Sequence, residues 1–385
     1  MEQKPRAVVC GVGHIGKAII FCMTKLGFHV IALDRDKDAA KHLPDQLFDF
    51  LVTPNQESME KAILLSQPHV VISSLPYHQT QQVAEYCIRN KHNYCDLGGK
   101  VRVSQKINQL ANSSGNSPDG FHVFTDLGLA PGWVNILAEH GRKQLHGKFK
   151  DIKNIKMMVG GIPDQPRNPP LNYVMTWSLD GLINEYKDKC KILINGQESW
   201  VDGMEGLEEV NTKSRGDLEA FYTSGGASHS IESMKSAGVQ NCSYKTLRYK
   251  GHRDIVRFLI KDSKLSQECL GELFKNTVTH GVRVLDIVII KVTIDAGDTS
   301  WDQELLIPNG SVFSAMQKST AFAISSVAKM MAENFFKKNA AQHGDHHNET
   351  PIALSYKDVD YKEFMKNVNF LRVETDVLDG PYEQD

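Results

Sequence analysis

The segment that most restricts the fold is Gly11-Val12-Gly13-His14-Ile15-Gly16, placed directly after the apolar β-branched run 6–10. A G-x-G-x-x-G match is weak alone, but between a strand and a helix each glycine has a physical task. The first permits a tight turn, the second lets backbone approach a pyrophosphate, and the third lets the helix pack closely on the strand. The spacing therefore predicts a strand-turn-helix unit whose helix N-terminus receives a phosphate, with contacts from Gly11, Gly13, His14, Ile15 and Gly16.

The next hundred residues repeat that grammar. β-branched runs at 28–33, 48–52, 70–74, 93–97 and 121–125 alternate with helical patterns at 15–26, 37–42, 79–90 and 101–112. Such alternation implies βαβ units and a parallel sheet. With run 6–10 the count is six strands, a Rossmann-type doubly wound parallel sheet. After about residue 150 the pattern shifts to partly alternating runs at 155–159, 191–194 and 286–294, with Asn195-Gly196 marking a hairpin. A second α/β domain with a mixed sheet is expected there. The chain of 385 residues divides on this reading into an NAD-binding domain at 1–135 and a substrate and oligomerisation domain at 136–312. A helix at 313–338 returns to the first domain, and a polar loop with a C-terminal segment covers 339–385.

Composition narrows the partners. Lys plus Arg number 44 against 46 for Asp plus Glu, a formal net charge of −2, so nothing electrostatic favours nucleic acid or an anionic membrane. No apolar run is long enough to span a bilayer. The seven cysteines are odd in number and form no C-x-x-C pair, which suggests neither a disulfide framework nor zinc and fits a reducing compartment. The expectation is a soluble, cytoplasmic protein that acts on a small molecule. His343-Gly344-Asp345-His346-His347 reads as a solvated loop, with no rigid frame of metal ligands around it.

Asp34 closes the second strand about 20 residues beyond the glycines, where a carboxylate accepts hydrogen bonds from the adenosine ribose hydroxyls. This favours NAD. Arg35 follows, and its guanidinium could pair with a 2′-phosphate or stack on adenine, so NADP stays open. Ser74, Leu75 and Pro76 follow the fourth strand, and Asp96 and Asp126 stand at the ends of the fifth and sixth. Carboxyl ends of such strands face the ligand crevice. The two aspartates are candidates to take a proton or hold an ammonium, although helix caps ask for the same residue type.

Longer segments then add a resemblance: DLGLAPGWVN (126–135), VGGIP (159–163), PPLNYVMTWSLDGLINEY (169–186), GLEE (206–209), LEAFYTSGGAS (218–228), YKTLRYKGH (244–252) and FSAMQKSTAFAIS (313–325). Together they resemble the saccharopine dehydrogenase family over nearly the whole chain, and within it most of all the lysine 6-dehydrogenases. The resemblance implies oxidation of the terminal amine of lysine to the semialdehyde with release of ammonia. Saccharopine reductases of the family carry an acidic residue just before the Pro-Gly of this turn, where this chain has Ala130. That departure argues against saccharopine and moves attention to Asp126 first and Asp96 second as proton acceptors. Asn135 and Arg248 match polar positions of the family, and a guanidinium grips a carboxylate in a fork. Tyr173, Trp177 and Tyr222 could wall an alkyl stem, though core packing asks for the same aromatics. The resemblance also implies a homodimer or larger homo-oligomer. Two alternatives stay open: an NADP-dependent saccharopine or carboxynorspermidine dehydrogenase, and a non-catalytic NAD-binding relative.

Overall fold

A computed structural model describes residues 4–41, 43, 48–117, 120–146, 152–166, 171–263, 265–278, 285–336 and 350–379. The chain divides into two compact units, one of residues 1–133 with 319–385 and one of residues 134–318.

The first unit is built on β1 (Arg6–Cys10), α1 (His14–Lys25), β2 (His29–Asp34), β3 (Phe48–Val52), α2 (Gln56–Ser66), β4 (Val70–Ser73), α3 (Tyr77–Arg89), β5 (Tyr94–Asp96), α4 (Val101–Ser113), β6 (Asn116–Ser117) and β7 (Val123–Phe124). Beyond residue 349 it regains β16 (Thr350–Pro351), which pairs with β6, then β17 (Ala353–Leu354) and α11 (Tyr361–Asp379). Its sheet has seven strands in the order β17-β7-β5-β4-β1-β2-β3, with every neighbouring pair parallel. β1, β2 and β4 are apolar almost without a break because both sheet faces are covered. The strand order reverses between β1 and β4, which places a ligand crevice at their carboxyl ends.

Three features differ from the sequence reading. The sheet has a seventh strand, β17, from a tail whose patterning is weak because a two-residue strand leaves no alternation to read. The 11-residue α2 supplies a crossover and opens with a capping box between Asn55 and Ser58. The helix expected at 37–42 is absent from the described part of that segment, which forms turns. There the Asp34 and Asp36 carboxylates accept the backbone N–H groups of Asp36 and Asp38, each at 2.9 Å, and side-chain bonding of this kind competes with helix formation.

The second unit carries an eight-stranded mixed sheet. Its spine runs β10 (Gln197–Val201), β9 (Cys190–Ile194), β13 (Asn241–Arg248), β8 (Asn154–Pro163), β14 (Asp286–Asp295) and β15 (Ser300–Pro308). β12 (Gly216–Tyr222) pairs with β13 and with β11 (Glu208–Thr212). Only β13 with β8 is parallel; the other pairings are antiparallel. Asn195 and Gly196, at φ 49° and 75°, make the tight turn that joins β9 to β10. Helix α6 (Leu179–Lys187) covers one sheet face, where Leu171, Tyr173, Leu182, Tyr186, Phe221 and Phe274 pack together. A second apolar cluster, with Leu218, Ala220, Leu247 and Ile289, fills the other. Helices α5 (Trp133–His146), α7 (Ser230–Ser236), α8 (His252–Arg257) and α9 (Gln267–Val278) precede α10 (Ala315–Ala332), which lies within the helix expected at 313–338. No helix among the described residues is long and apolar enough to cross a membrane.

Candidate functional site

The glycine turn of the first unit meets three separate demands. Gly11 has φ +95°, a conformation L side chains avoid, and a Cβ there would lie 2.9 Å from the Ser74 carbonyl oxygen. A Cβ on Gly16 would overlap the Gly11 carbonyl, so only glycine lets α1 pack this closely on the turn. Gly13 is different: no heavy atom lies within 4 Å of where its Cβ would be, and it is exposed as the N-cap of α1. No side chain caps α1 and no acidic residue occupies its first turn. An exposed helix start with no side-chain cap is the setting a diphosphate needs. His14, also exposed, opens the helix, and Ile15 is half-buried.

The remaining cofactor candidates converge on this turn. The backbone N–H of Val12 donates to Asp34 Oδ2 at 2.7 Å and that of Asp36 to Oδ1 at 2.9 Å. Each carboxylate oxygen thereby keeps a lone pair for another donor. Arg35 beside it is exposed. Ser74 is tied to β1 through its N–H and the Cys10 carbonyl at 2.8 Å, and Leu75 lies against Gly11. Pro76 precedes α3 as its N-cap.

Asp96 and Asp126 come together because β5 and β7 are neighbours. Asp96 Oδ1 accepts the backbone N–H groups of Gly98 at 2.8 Å and Asp126 at 3.2 Å, and Oδ2 accepts the Tyr94 hydroxyl at 3.0 Å. Asp126 has φ 64° and accepts the Ser104 hydroxyl at 2.6 Å. Both are buried. Burial, and then the charge of Asp126, push Asp96 up to about 7, while the three donors act in the opposite direction. Asp96, at a buried strand end, can therefore exchange a proton near neutrality.

In the second unit the pleat decides which candidates share a face. Arg248, at the end of β13, is 3% exposed and forms no ion pair among the described residues. Its guanidinium lies 4.7 Å from the Tyr173 ring centroid and 5.9 Å from that of Tyr186. Its Nε donates to Tyr186 Oη at 3.0 Å and Nη1 to the Leu247 carbonyl at 2.9 Å. Tyr186 Oη stands 3.0 Å from His252 Nε2, and His252 Nδ1 stands 2.8 Å from the Leu171 carbonyl. That carbonyl can only accept, so the hydrogen sits on Nδ1 and Tyr186 donates to Nε2. Burial, then the charge of Arg248, hold His252 down at about 3, so the ring is neutral and fixes the tyrosine hydroxyl. Trp177 Nε1 donates to Tyr173 Oη at 3.1 Å.

Tyr222 stands apart from this group. It pairs with Lys245, whose Nζ lies 4.6 Å from the ring centroid, and Lys245 is three residues before Arg248. An odd offset on a strand puts the two side chains on opposite faces, so Tyr222 does not wall the Arg248 site. Asn135 serves the scaffold of the same unit: its Nδ2 is within hydrogen-bond reach of Ser230 Oγ at 2.6 Å, the Ala227 carbonyl at 3.1 Å and that of Gly226 at 3.3 Å.

Sequence reading missed Glu185, Tyr186 and His252. Glu185 Oε1 accepts the hydroxyls of Thr246 at 2.8 Å and Thr223 at 2.9 Å, and those hydroxyls lie 2.7 Å from each other. Burial pushes Glu185 upward, against the pull of Arg248 and of the two threonine hydroxyls. The signal available was Glu185-Tyr186 ending the 169–186 segment and His252 ending 244–252. Among the described residues no cluster of three or more His, Cys, Asp or Glu side chains could hold a metal, and 343–347 lie outside those residues.

Comparison with known proteins agrees with this architecture. Residues 7–116 match the saccharopine dehydrogenase NADP binding domain and residues 128–350 the saccharopine dehydrogenase C-terminal domain. A curated relative, the NADP(+)-dependent, L-glutamate-forming saccharopine dehydrogenase of Schizosaccharomyces pombe, is 23% identical over 209 residues. That match covers 54% of this chain and 45% of the relative, so the chain spans less than half of that protein's length. The apo L-Glu-forming saccharopine dehydrogenase of Saccharomyces cerevisiae superposes with a TM-score of 0.72 at 15% identity, covering 96% of this chain and 97% of that one, and shows the same fold. The glycine turn thus sits in a nicotinamide-dinucleotide-binding domain, and the chain as a whole belongs to the saccharopine dehydrogenase family.

Proposed function

We propose that the protein is an NAD-dependent dehydrogenase that oxidises the terminal amine of L-lysine to an imine, which water converts to the semialdehyde and ammonia. The observation that carries the reading is Arg248: a buried cation stacked on Tyr173, with no anionic partner and with N–H donors left over among the described residues. Leaving a buried charge uncompensated costs several kcal/mol, which a ligand carboxylate in a bidentate fork offsets.

The bound nicotinamide ring supplies the hydride acceptor. The chain supplies the rest. An amine must be neutral before its carbon can release hydride, and Asp126, with Asp96 as its partner, takes that proton. Asp96, held at about 7, is matched to proton exchange at neutral pH. Arg248 anchors the α-carboxylate, Tyr186 and His252 hold the guanidinium in place, and Tyr173 and Trp177 wall the alkyl stem. Asn135 fixes residues 226–230 of the same unit. The turn at Gly11, Gly13, His14, Ile15 and Gly16, with Ser74, Leu75 and Pro76, binds the dinucleotide. Asp34, with a lone pair left on each oxygen, accepts from the ribose hydroxyls, which supports NAD.

A second reading has support in Arg35, exposed next to Asp34, and in the match to an NADP binding domain. On that reading the substrate is a secondary amine such as saccharopine or carboxynorspermidine, and the coenzyme is NADP. Purified protein assayed for reduced coenzyme with NAD+ and NADP+ across lysine, ornithine, saccharopine and carboxynorspermidine tests both. Turnover of lysine with NAD+ is expected. Activity on saccharopine alone overturns the assignment, and coenzyme binding without turnover of any amine identifies a non-catalytic relative. We further propose a cytoplasmic homo-oligomer, which light scattering on the purified protein checks.

A further inference from the structure

Arg248 has a neighbour of opposite charge type that it does not touch. Glu185, on α6, faces the same side of the sheet as Thr246 and Arg248, which are two residues apart on β13 and so project from the same face. The two groups lie close enough for each to perturb the other, yet no ion pair joins them. Glu185 Oε1 is occupied by Thr223 and Thr246, whereas Oε2 has no hydrogen-bond partner among the described residues and is only partly covered. Arg248 likewise uses Nε and Nη1 and leaves Nη2 without an acceptor among the described residues. A half-buried carboxyl and a buried guanidinium, each half-satisfied and with no counter-ion among the described residues, would collapse onto one another if pairing were their role. Tyr173 and Tyr186 under the guanidinium, and the two threonines on the carboxyl, hold them apart.

We propose that Arg248 and Glu185 form a slot for a free amino-acid zwitterion, Arg248 taking the α-carboxylate and Glu185 Oε2 the α-ammonium. This rests on the reading of Arg248 as the carboxylate anchor. The α-ammonium brings Glu185 Oε2 the donor it lacks among the described residues. The slot selects substrates whose α-amino group is a free primary ammonium beside a carboxylate, and it disfavours simple diamines and ω-amino acids.

Calorimetric titration of the full chain saturated with NAD+ tests it with three unreactive probes: L-norleucine, hexanoate and 1-aminopentane. Norleucine carries both charges, and each of the others lacks one. Norleucine is expected to bind at least about 10-fold tighter than either, the size of one charge-assisted hydrogen bond. In Glu185→Gln, norleucine falls to the level of hexanoate, and hexanoate itself changes by less than about 2-fold. Equal binding of norleucine and hexanoate to the wild type, or no norleucine binding, overturns the slot even if the variant does not fold. A folded Glu185→Gln protein that keeps the preference also overturns it. Lysine turnover with an unchanged KM in Glu185→Gln sinks the slot and leaves the proposed reaction standing. Norleucine held through Glu185 without oxidation of any amine sinks the reaction and leaves the slot standing.

Discussion

The two units present ligand groups by opposite means. In the first, the binding surface is mostly backbone: a turn of three glycines, an uncapped helix start and the carboxyl ends of parallel strands, gathered from neighbouring strand ends. In the second, it is side chains: Glu185 from a helix, Thr223 and Thr246 from two strands, Arg248 from a strand end and His252 from a helix start. A backbone site accepts many ligands that share a diphosphate, since every chain has N–H groups to offer. A side-chain site reads the particular charges of one molecule, because each contact needs its own residue. On the proposed function, the contrast gives affinity for the common coenzyme to one unit and selection of the substrate to the other.

The comparison breaks most easily at Arg248. Arg248→Met is expected to lower kcat/KM for lysine by about 10³-fold, and Arg248→Lys should recover little, because an ammonium cannot copy the fork or the stacking on Tyr173. Steady-state rates decide this, and an unchanged kcat/KM in Arg248→Met removes the substrate role from the second unit. Next comes the glycine turn. Gly16→Ala forces a Cβ onto the Gly11 carbonyl and should cost about 1–3 kcal/mol of stability by urea unfolding. Gly13→Ala meets open space, so unfolding should be nearly unaltered while coenzyme affinity drops. If both variants behave alike, the separation of packing from ligand approach is wrong.

Coenzyme choice sharpens the contrast, since it is the one place where the backbone site relies on a side chain. Asp34→Ser should weaken NAD binding by about 10-fold, the loss of charge-assisted ribose hydrogen bonds, and improve NADP relative to it. Arg35→Ala separates the readings: a selective loss of NADP supports phosphate pairing, and equal small losses dismiss it. The smallest effect is in pH. Asp96 is raised from 3.8 to about 7 in the folded protein, so between those values the folded state holds a proton that the unfolded state has lost. Its contribution is fully present below about pH 4 and is lost as pH rises through about 7. Asp96→Asn should flatten that part of the curve of melting temperature against pH. A wild-type slope retained in the variant places the titration elsewhere.

How legible each region was follows from the same difference. Gly11, Gly13, Gly16, Asp34 and Ser74 were readable because a parallel sheet puts successive strand ends in one place, so spacing along the chain translates into proximity. Asp96 and Asp126 were readable one at a time, and their adjacency needed the β5–β7 pairing. Arg248 stood out through resemblance. Its neighbours did not, since Glu185 and His252 sit 63 and 4 residues from it on different elements, and no local pattern records that they meet. Tyr222 was grouped with it wrongly, because only the register of β12 on β13 shows which face a strand residue takes. Weak patterning hid β17 and α11 for a similar reason: their apolar residues make sense only against the sheet they join.

That late strand has a consequence for synthesis on the ribosome. β17 lies along β7, α11 holds Lys25 of α1 through Glu374 at 2.8 Å, and Phe364 packs at 5.9 Å from Trp133, so the dinucleotide domain brackets the second unit in the chain. An emerging polypeptide therefore exposes the flank of β7 until some two hundred further residues have been translated, an interval in which a chaperone has something to shield. Competence to bind coenzyme should arrive late in translation, after the second unit has had time to fold.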